Sequence, residues 1–425
     1  MIDVREIKTR RDEIAKNIQQ RNMNVDIDAI IALSDERAIL MQQTESLRAK
    51  RNENAQRMKA KLDSDTRAAL ILEGKALKDQ IACVESQLSE VDQSYQNLIK
   101  TIPNYAHPQA PIGKEDKDNT TIKTVGSIPQ FSFKPLDHVQ LSQQLDLIDF
   151  DTATRVSGPK FYYLKREAVV LQMALERYAL DIVMQEGFTP FITPDIAKEE
   201  ILNGIGFNPR GEESNIYNIE GTGTCLVGTA EITLGGYYAN QILDKEKLPI
   251  KMAGLSHCFR REAGGAGQYS KGLYRVHQFS KLEMFIYCLP EDSDAMHQQL
   301  LAIEEKIFSN LNLAYRVVDT CTGDLGAPAY RKFDIEAWMP GRGDNGEYGE
   351  VTSTSNCTDY QARALSIRYK DDQGKSQYVH MLNGTAMALS RAMVAILENY
   401  QCEDGSILIP QALVPYTGFS KIQAR

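Results

Sequence analysis

Between Asp26 and about Ile102, apolar side chains recur on a helical grid in an otherwise polar stretch. Leu77, Ile81, Val84, Leu88, Val91, Tyr95 and Leu98 step by 4, 3, 4, 3, 4 and 3, a coiled-coil seam sustained over three heptads. Ile30, Leu33, Leu40, Leu47, Asn54 and Met58 follow the same grid more loosely. Leu62-Asp63-Ser64-Asp65-Thr66 breaks the repeat and offers several N-caps. The pattern predicts two antiparallel helices of roughly 35 residues each, an arm on the order of 50 Å long. A short turn folds the second helix back on the first, which favours pairing within the chain over an intermolecular coiled coil. Upstream, Ile2, Val4, Ile7, Ile14 and Ile18 in a charged background predict one or two short amphipathic turns.

After the arm (1–102), Pro103, Pro108, Pro111 and the polar run Gly113–Thr121 read as a linker (103–121), followed by a mixed region over 122–425. Glu167–Glu186 is a strongly apolar helix that Gly187 closes. Phe188–Ile196 is extended, and its Pro190 and Pro194 place it at an edge or interface. Gly204–Gly223 reads as loop, and Leu226–Gln241 as a turn entering a helix with Thr229 and Glu231 at its start. Lys251–Phe259 and Leu273–Cys288 alternate apolar and polar residues as a hairpin, with Gly264, Gly265 and Gly267 in its loop. Glu291–Asn312 is a helix, and Tyr315–Asp319, Phe333–Trp338 and Gly349–Ser353 are strands, with Gly341–Glu347 a loop. Tyr378–Leu382 is a last strand that runs through Asn383-Gly384 into a helix at Ala388–Tyr400. That order implies an α+β fold, an antiparallel sheet flanked by helices.

In such a hairpin, residues two apart share a face. Arg260 and Glu262 would then point one way, and Arg275, His277 and Phe279 would share a face of the partner strand. Arginines, a carboxylate and an aromatic suit the floor of a pocket for an anionic, ring-bearing ligand. The plainer alternative is a surface hairpin with salt-bridged charges. The P-loop GxxxxGK[ST], HExxH and GxSxG are missing, and Gly221–Gly228 lacks GxGxxG spacing, which leaves this hairpin as the phosphate-site candidate.

A net charge of −9 argues against nucleic-acid binding over the whole surface. It leaves room for a local patch, and Arg48, Lys50, Arg51 and Arg57, with Lys59 and Lys61, sit in a stretch where only Glu45 and Glu53 oppose them. On a projecting arm such a patch fits a phosphate backbone; otherwise it is a solvated face. Seven cysteines without a CxxC pair fit reduced thiols and no zinc. The start has no apolar signal region, and no apolar run reaches ~20 residues, so a cytoplasmic address and no membrane are expected.

Three stretches resemble, in order, the motifs of class II aminoacyl-tRNA synthetases. They are the long helix with GFTPFITPDI, then FRREAG with RVHQFSKLEMF, then LNGTAMALSRAMVAILENY with Arg391 near the helix start. GTAE at Gly228–Glu231, EVTSTSNCTDYQARA at Glu350–Ala364 and the helical hairpin are similar to bacterial-type seryl-tRNA synthetases. The resemblance implies seryl-adenylate formation from serine and ATP, then transfer to tRNA-Ser (selenocysteine tRNA included in some cases), by a homodimer whose arms reach tRNA. It implies that Arg260 grips the α-phosphate and serine carboxylate, that Arg275 and Arg391 hold the distal phosphates, and that Phe279 stacks on adenine. Glu262 and the backbone at Val276 would read the adenine edge, with Arg261, Val351 and Thr352 beside the nucleotide. Glu350 and Ser353 would hold Mg2+. Thr229, Glu231, Glu283, Asn383 and Thr385 would surround serine, with Glu283 and Thr385 on its hydroxyl. Each has a plainer role open to it: Thr229 and Thr385 as helix caps, Phe279 as core, Glu262 as an ion-pair partner, Glu350 as an ordinary strand residue. Ala386, Ser390 and Thr385 depart from the family's usual residues in the third motif. Two rivals stand beside this reading, an amino acid:carrier protein ligase and a non-catalytic coiled-coil scaffold.

Overall fold

The computed structural model describes residues 1–207, 215–262 and 272–424. The hairpin glycines Gly264, Gly265 and Gly267, and part of the 204–223 loop, lie outside the described residues. The chain divides into two compact units, Met1–Pro103 and Asn104–Arg425.

In the first unit, a short helix α1 (Arg11–Gln20) precedes α2 (Ile27–Arg57) and α3 (Ser64–Ile99), of 31 and 36 residues. Both long helices start at an aspartate. Asp26 accepts from the Ala29 amide, and Asp63 accepts from Asp65 and Thr66. Leu77, Ile81 and Tyr95 are buried along the seam, as are Ile30 and Leu40 opposite. Asn54 is a polar layer within it. Its amide donates to Leu70 O (3.2 Å) and Glu73 Oε2 (2.8 Å). Gly74 leaves it space, since a Cβ there would lie 3.2 Å from Asn54 Oδ1. A buried amide with fixed partners specifies register where a uniform apolar seam would not.

The second unit is built on an eight-stranded sheet among the described residues. In chain order its strands are β1 (Thr120–Val125), β2 (Thr189–Ile192), β3 (Ile250–Phe259), β4 (Gln278–Cys288), β5 (Tyr315–Asp319), β6 (Arg331–Met339), β7 (Glu347–Asn356) and β8 (His380–Ala388). Their spatial order is β1-β5-β6-β7-β8-β4-β3-β2, antiparallel except for β2 against β3. The helices are α4 (His138–Leu145), α5 (Glu167–Gln185), α6 (Ala230–Gly236), α7 (Ser293–Asn310) and α8 (Leu389–Asn399), with shorter turns between. On β4, Leu282, Met284, Ile286 and Cys288 enter the main core with α5, α7 and α8, while Phe285 and Tyr287 join a second core with α6. Alternation along one strand thus separates the two layers.

Three expectations change. The 103–121 stretch is tied to the second unit: Asn104 N donates to Ala327 O (2.8 Å), its side-chain amide donates to Pro328 O and Cys357 O (2.9 Å each), and β1 pairs with β5. The last strand does not end at Leu382 with Asn383-Gly384 as its exit towards the helix. Both lie mid-strand in β8, paired on one side with Phe285 and Met284 and on the other with Ser355 and Thr354. Glycine is required there by close approach, because a Cβ would come 2.9 Å from Glu304 Oε1 and 3.0 Å from Thr354 Oγ1. Finally, β4 begins at Gln278, five residues after Leu273. The Leu273 and His277 amides are taken by His138 Nε2 and Lys160 O, so Arg275 and His277 do not share a strand face with Phe279.

Candidate active site

The site forms on the face of β4 that carries Phe279, Lys281 and Glu283. Two bulges shape it. Thr385 and Met387 oppose the consecutive residues Glu283 and Leu282, leaving Ala386 extra. Likewise Glu350 and Thr352 oppose Glu336 and Ile335, leaving Val351 extra. In a regular strand Glu350 and Ser353, three apart, would face opposite ways. The extra residue puts them on one face.

At one end is a buried polar cluster. Glu283 pairs with Lys281, and its Oε2 accepts from Thr385 Oγ1 (3.1 Å) and Thr229 Oγ1 (3.3 Å). Thr229 is also the N-cap of α6, accepting from Glu231 N (3.2 Å), so it fills the plainer role while it also contacts Glu283. Glu231 Oε1 accepts from Gln361 Nε2 (2.9 Å) and Asn383 Nδ2 (3.0 Å). Burial, and then the charge of Glu283, push the Glu231 carboxyl up to about 7.

At the other end are the arginines. Arg260 lies 5.2 Å from the Phe279 ring centroid and reaches Gly228 O at 3.4 Å. Arg391 pairs with Glu350 Oε1 at 2.9 Å and donates to Glu350 O at 3.1 Å. Burial resists ionisation of Glu350, but Arg391, Lys332 and Arg260 outweigh it and hold its pKa low. Burial pushes Asp334, beside Lys332, up to about 6. Glu262, at a positive φ of 48°, lies 3.8 Å from Arg275.

Arg260, Glu262, Val276, Phe279, Glu350, Val351, Thr352, Thr385 and Arg391 line one cavity. Thr352 donates to Thr385 O and so braces the two bulged strands. Thr229, Glu231, Glu283, Asn383 and Ser353 lie outside that lining, as do Arg275 and Arg261; Arg261 is exposed and bonds through its backbone to Asn215 O. Lys281, Tyr274, Ala388 and Ser390 of the lining, and Gln361 of the cluster, were not among the expected site residues. Lys281 had a signal, two residues from both Phe279 and Glu283. Tyr274 and Gln361 had none, since their partners lie far along the chain. On the arm, Arg48 pairs with Glu85 (2.7 Å) and Arg57 approaches Glu73 (3.9 Å), while Lys50 and Arg51 have no ion pair among the described residues. Also among the described residues, no three His, Cys, Asp or Glu side chains group as a metal cage.

The seryl-tRNA synthetase N-terminal domain family matches residues 1–106, and the class II tRNA synthetase core domain family (G, H, P, S and T) matches residues 217–400. A serine–tRNA ligase of Treponema denticola is 62% identical over 422 residues, 99% of this chain and 100% of that protein. The chain belongs to the seryl-tRNA synthetases. Two solved structures are similar throughout. Seryl-tRNA synthetase from Pyrococcus horikoshii, complexed with ATP, has a TM-score of 0.89 at 38% identity, with 100% of both chains covered. Cytoplasmic serine–tRNA ligase from Naegleria fowleri, in complex with AMP, has a TM-score of 0.81 at 28% identity, covering 97% of this chain and 95% of that one. This seryl-tRNA synthetase is an ATP-dependent aminoacyl-tRNA ligase that joins serine to tRNA. The carrier-protein ligase and scaffold readings fall with that membership.

Proposed function

We propose that serine binds at the Glu231–Glu283 cluster, which adjoins the cavity through Thr385 and Lys281, and ATP in the cavity at its Arg260–Arg391 end. The observation that carries this is the contrast between two adjacent buried carboxylates. Glu283 is already neutralised by Lys281, whereas Glu231 holds only neutral amides. Glu231, with an oxygen to spare, takes the serine ammonium. Glu283 and Thr385 take the hydroxyl, and Thr229 and Asn383 orient the two carboxylates. A site built to hydrogen-bond a hydroxyl rejects an analogue lacking it by about 10⁴ or more. The Thr385 methyl narrows the space that threonine would need.

Arg260, next to both ends, holds the serine carboxylate against the α-phosphate. A carboxylate oxygen attacks the α-phosphorus, the mixed anhydride forms, the α–β bridging bond breaks and pyrophosphate leaves. The step needs alignment and charge neutralisation more than proton transfer, which arginines provide. Phe279 stacks on adenine, Glu262 and the Val276 backbone read its edge, and Arg391 with the more distant Arg275 takes the outgoing phosphates. The ionised Glu350 and the Ser353 hydroxyl, brought to one face by the bulge, are hard oxygen donors that fit Mg2+. Bound there, the ion would neutralise phosphate charge. The ribose hydroxyl of the tRNA's terminal adenosine then attacks the acyl carbon and AMP departs.

The arm's Lys50 and Arg51, with Arg48 and Arg57, would meet the phosphates of tRNA-Ser. For the assembly we infer a cytoplasmic homodimer paired through α5 and β2, where Met173 and Ile192 are 62% and 90% exposed. Amino-acid-dependent exchange of pyrophosphate into ATP, run separately with serine, threonine, alanine, glycine and cysteine, tests the pocket. Exchange confined largely to serine is expected. Comparable exchange with threonine or alanine would overturn the assignment of Glu283 and Thr385.

A further inference from the structure

Tyr274 stands where the groups of the phosphate end meet. Its hydroxyl donates to Glu350 O (3.1 Å), the same carbonyl that accepts from Arg391 Nη1 (3.1 Å). The Arg391 guanidinium carbon lies 4.7 Å from the Tyr274 ring centroid, and that of Arg342 lies 4.5 Å from it. Arg342, from the Gly341–Glu347 loop, is 3.6 Å from Glu347. Gly349 keeps the space open, since a Cβ there would sit 3.2 Å from the Tyr274 hydroxyl and 3.3 Å from Arg342 Nη1.

The backbone beside both groups is fixed by one carboxylate. Glu398 on α8 accepts from Gly341 N (2.9 Å), the residue before Arg342, and from His138 N (3.0 Å) and the His138 ring (2.7 Å). The other ring nitrogen, Nε2, accepts from Leu273 N (3.1 Å), the residue before Tyr274. An amide can only donate, so His138 carries its proton on Nδ1, where Glu398 receives it. Gly272 is obligatory, with a φ of 75° and a Cβ position 2.0 Å from His138 Nε2. Two segments distant in sequence are thus locked together so that the Tyr274 ring lies against both Arg342 and Arg391.

We propose that Tyr274, backed by Arg342, is a positioning residue for Arg391. An unsupported arginine at a cavity wall samples many rotamers. The ring and the shared Glu350 carbonyl restrict this one before ATP arrives, so less ordering remains to be done on binding. The proposal rests on the assignment of Arg391 to the ATP phosphates.

Pyrophosphate exchange on the full-length enzyme separates the possibilities. Tyr274→Leu raises the KM for ATP about tenfold and leaves the serine KM within about twofold, while Tyr274→Phe, which keeps the ring, stays within about threefold of the parent. In an Arg391→Ala background, Tyr274→Leu adds less than about twofold, because its effect passes through the missing side chain. Should Tyr274→Leu fail to fold, Arg342→Gln gives the same split, about threefold in ATP KM alone. Equal rises in both KM values, or a full tenfold effect without Arg391, would overturn the proposal. An ATP KM unmoved by Arg391→Ala would instead sink the phosphate assignment, and the positioning role with it.

Discussion

Glu231→Gln separates what Glu231 contributes to binding from what it costs the fold. Its carboxyl sits near 7 against an ordinary 4.5, raised first by burial and then by Glu283. One unit corresponds to 1.36 kcal/mol, so above pH 7 the folded enzyme bears about 3 kcal/mol of ionisation cost that the unfolded chain does not. Because the folded pKa is raised, the folded state holds the proton longer, and stability falls as pH climbs from about 4.5 through 7. Glutamine has the same shape, keeps an oxygen for Gln361 and Asn383, and does not titrate. Its stability advantage over the parent therefore grows by about 2 kcal/mol between pH 5.5 and pH 8. Trp338 is the only tryptophan and lies in β6, so urea unfolding followed by its fluorescence reports the catalytic unit alone. The same variant loses the partner of the serine ammonium, and its serine KM at pH 8 rises about 100-fold with the ATP KM held within about twofold. In the parent, a proton competes with serine for Glu231, so the serine KM rises about fivefold from pH 7 to pH 6. An advantage that is the same at both pH values, or an unmoved serine KM, would refute the reasoning.

Neutralising Arg48, Arg51 and Arg57 together weakens tRNA binding and makes it less sensitive to salt, the log–log slope falling by about 0.7–0.9 for each phosphate no longer neutralised, with pyrophosphate exchange unchanged. Unaltered tRNA affinity at moderate salt would exclude the arm as the phosphate-binding surface. Lys50 and Arg51, which have no ion pair among the described residues, should contribute more than Arg48, which is already paired with Glu85. Glu304 is fully buried under Gly384, and burial pushes its carboxyl well above the ordinary range. The unfolded chain ionises at this position near 4.5 while the folded carboxyl holds its proton longer, so the parent loses stability as pH rises above that value and Glu304→Gln, which does not titrate, gains on it by at most about 1.4 kcal/mol per pH unit between pH 6 and pH 8; a stability difference that is the same at both pH values would show that burial does not raise this carboxyl.

The sequence by itself determined what depends on local periodicity and on motif chemistry. The 4-3 spacing specified both arm helices because a helix brings every third or fourth residue to one side, and the aspartates that start them cap through their own side chains. The order of strands and helices after residue 122 specified an antiparallel sheet. Arg260, Glu262 and Phe279 read as residue types suited to an anionic, ring-bearing ligand, and the synthetase-like motifs implied Glu350 and Arg391 beside them. Tertiary structure decided the rest, because bulges and long-range hydrogen bonds leave no periodic trace. Gly384 reads as lying past a strand that ends at Leu382, yet it sits mid-strand in β8 with Glu304 and Thr354 close by. Arg275 looks like a strand neighbour of Phe279 until His138 and Lys160 take the amides that would have continued the ladder. Glu350 and Ser353 share a face only because Val351 is an extra residue opposite β6. The same holds for Lys281 against Glu283, Gln361 against Glu231, and Tyr274 against Arg391: which charge is neutralised, and which arginine is held still, depends on partners that only the folded sheet brings within reach.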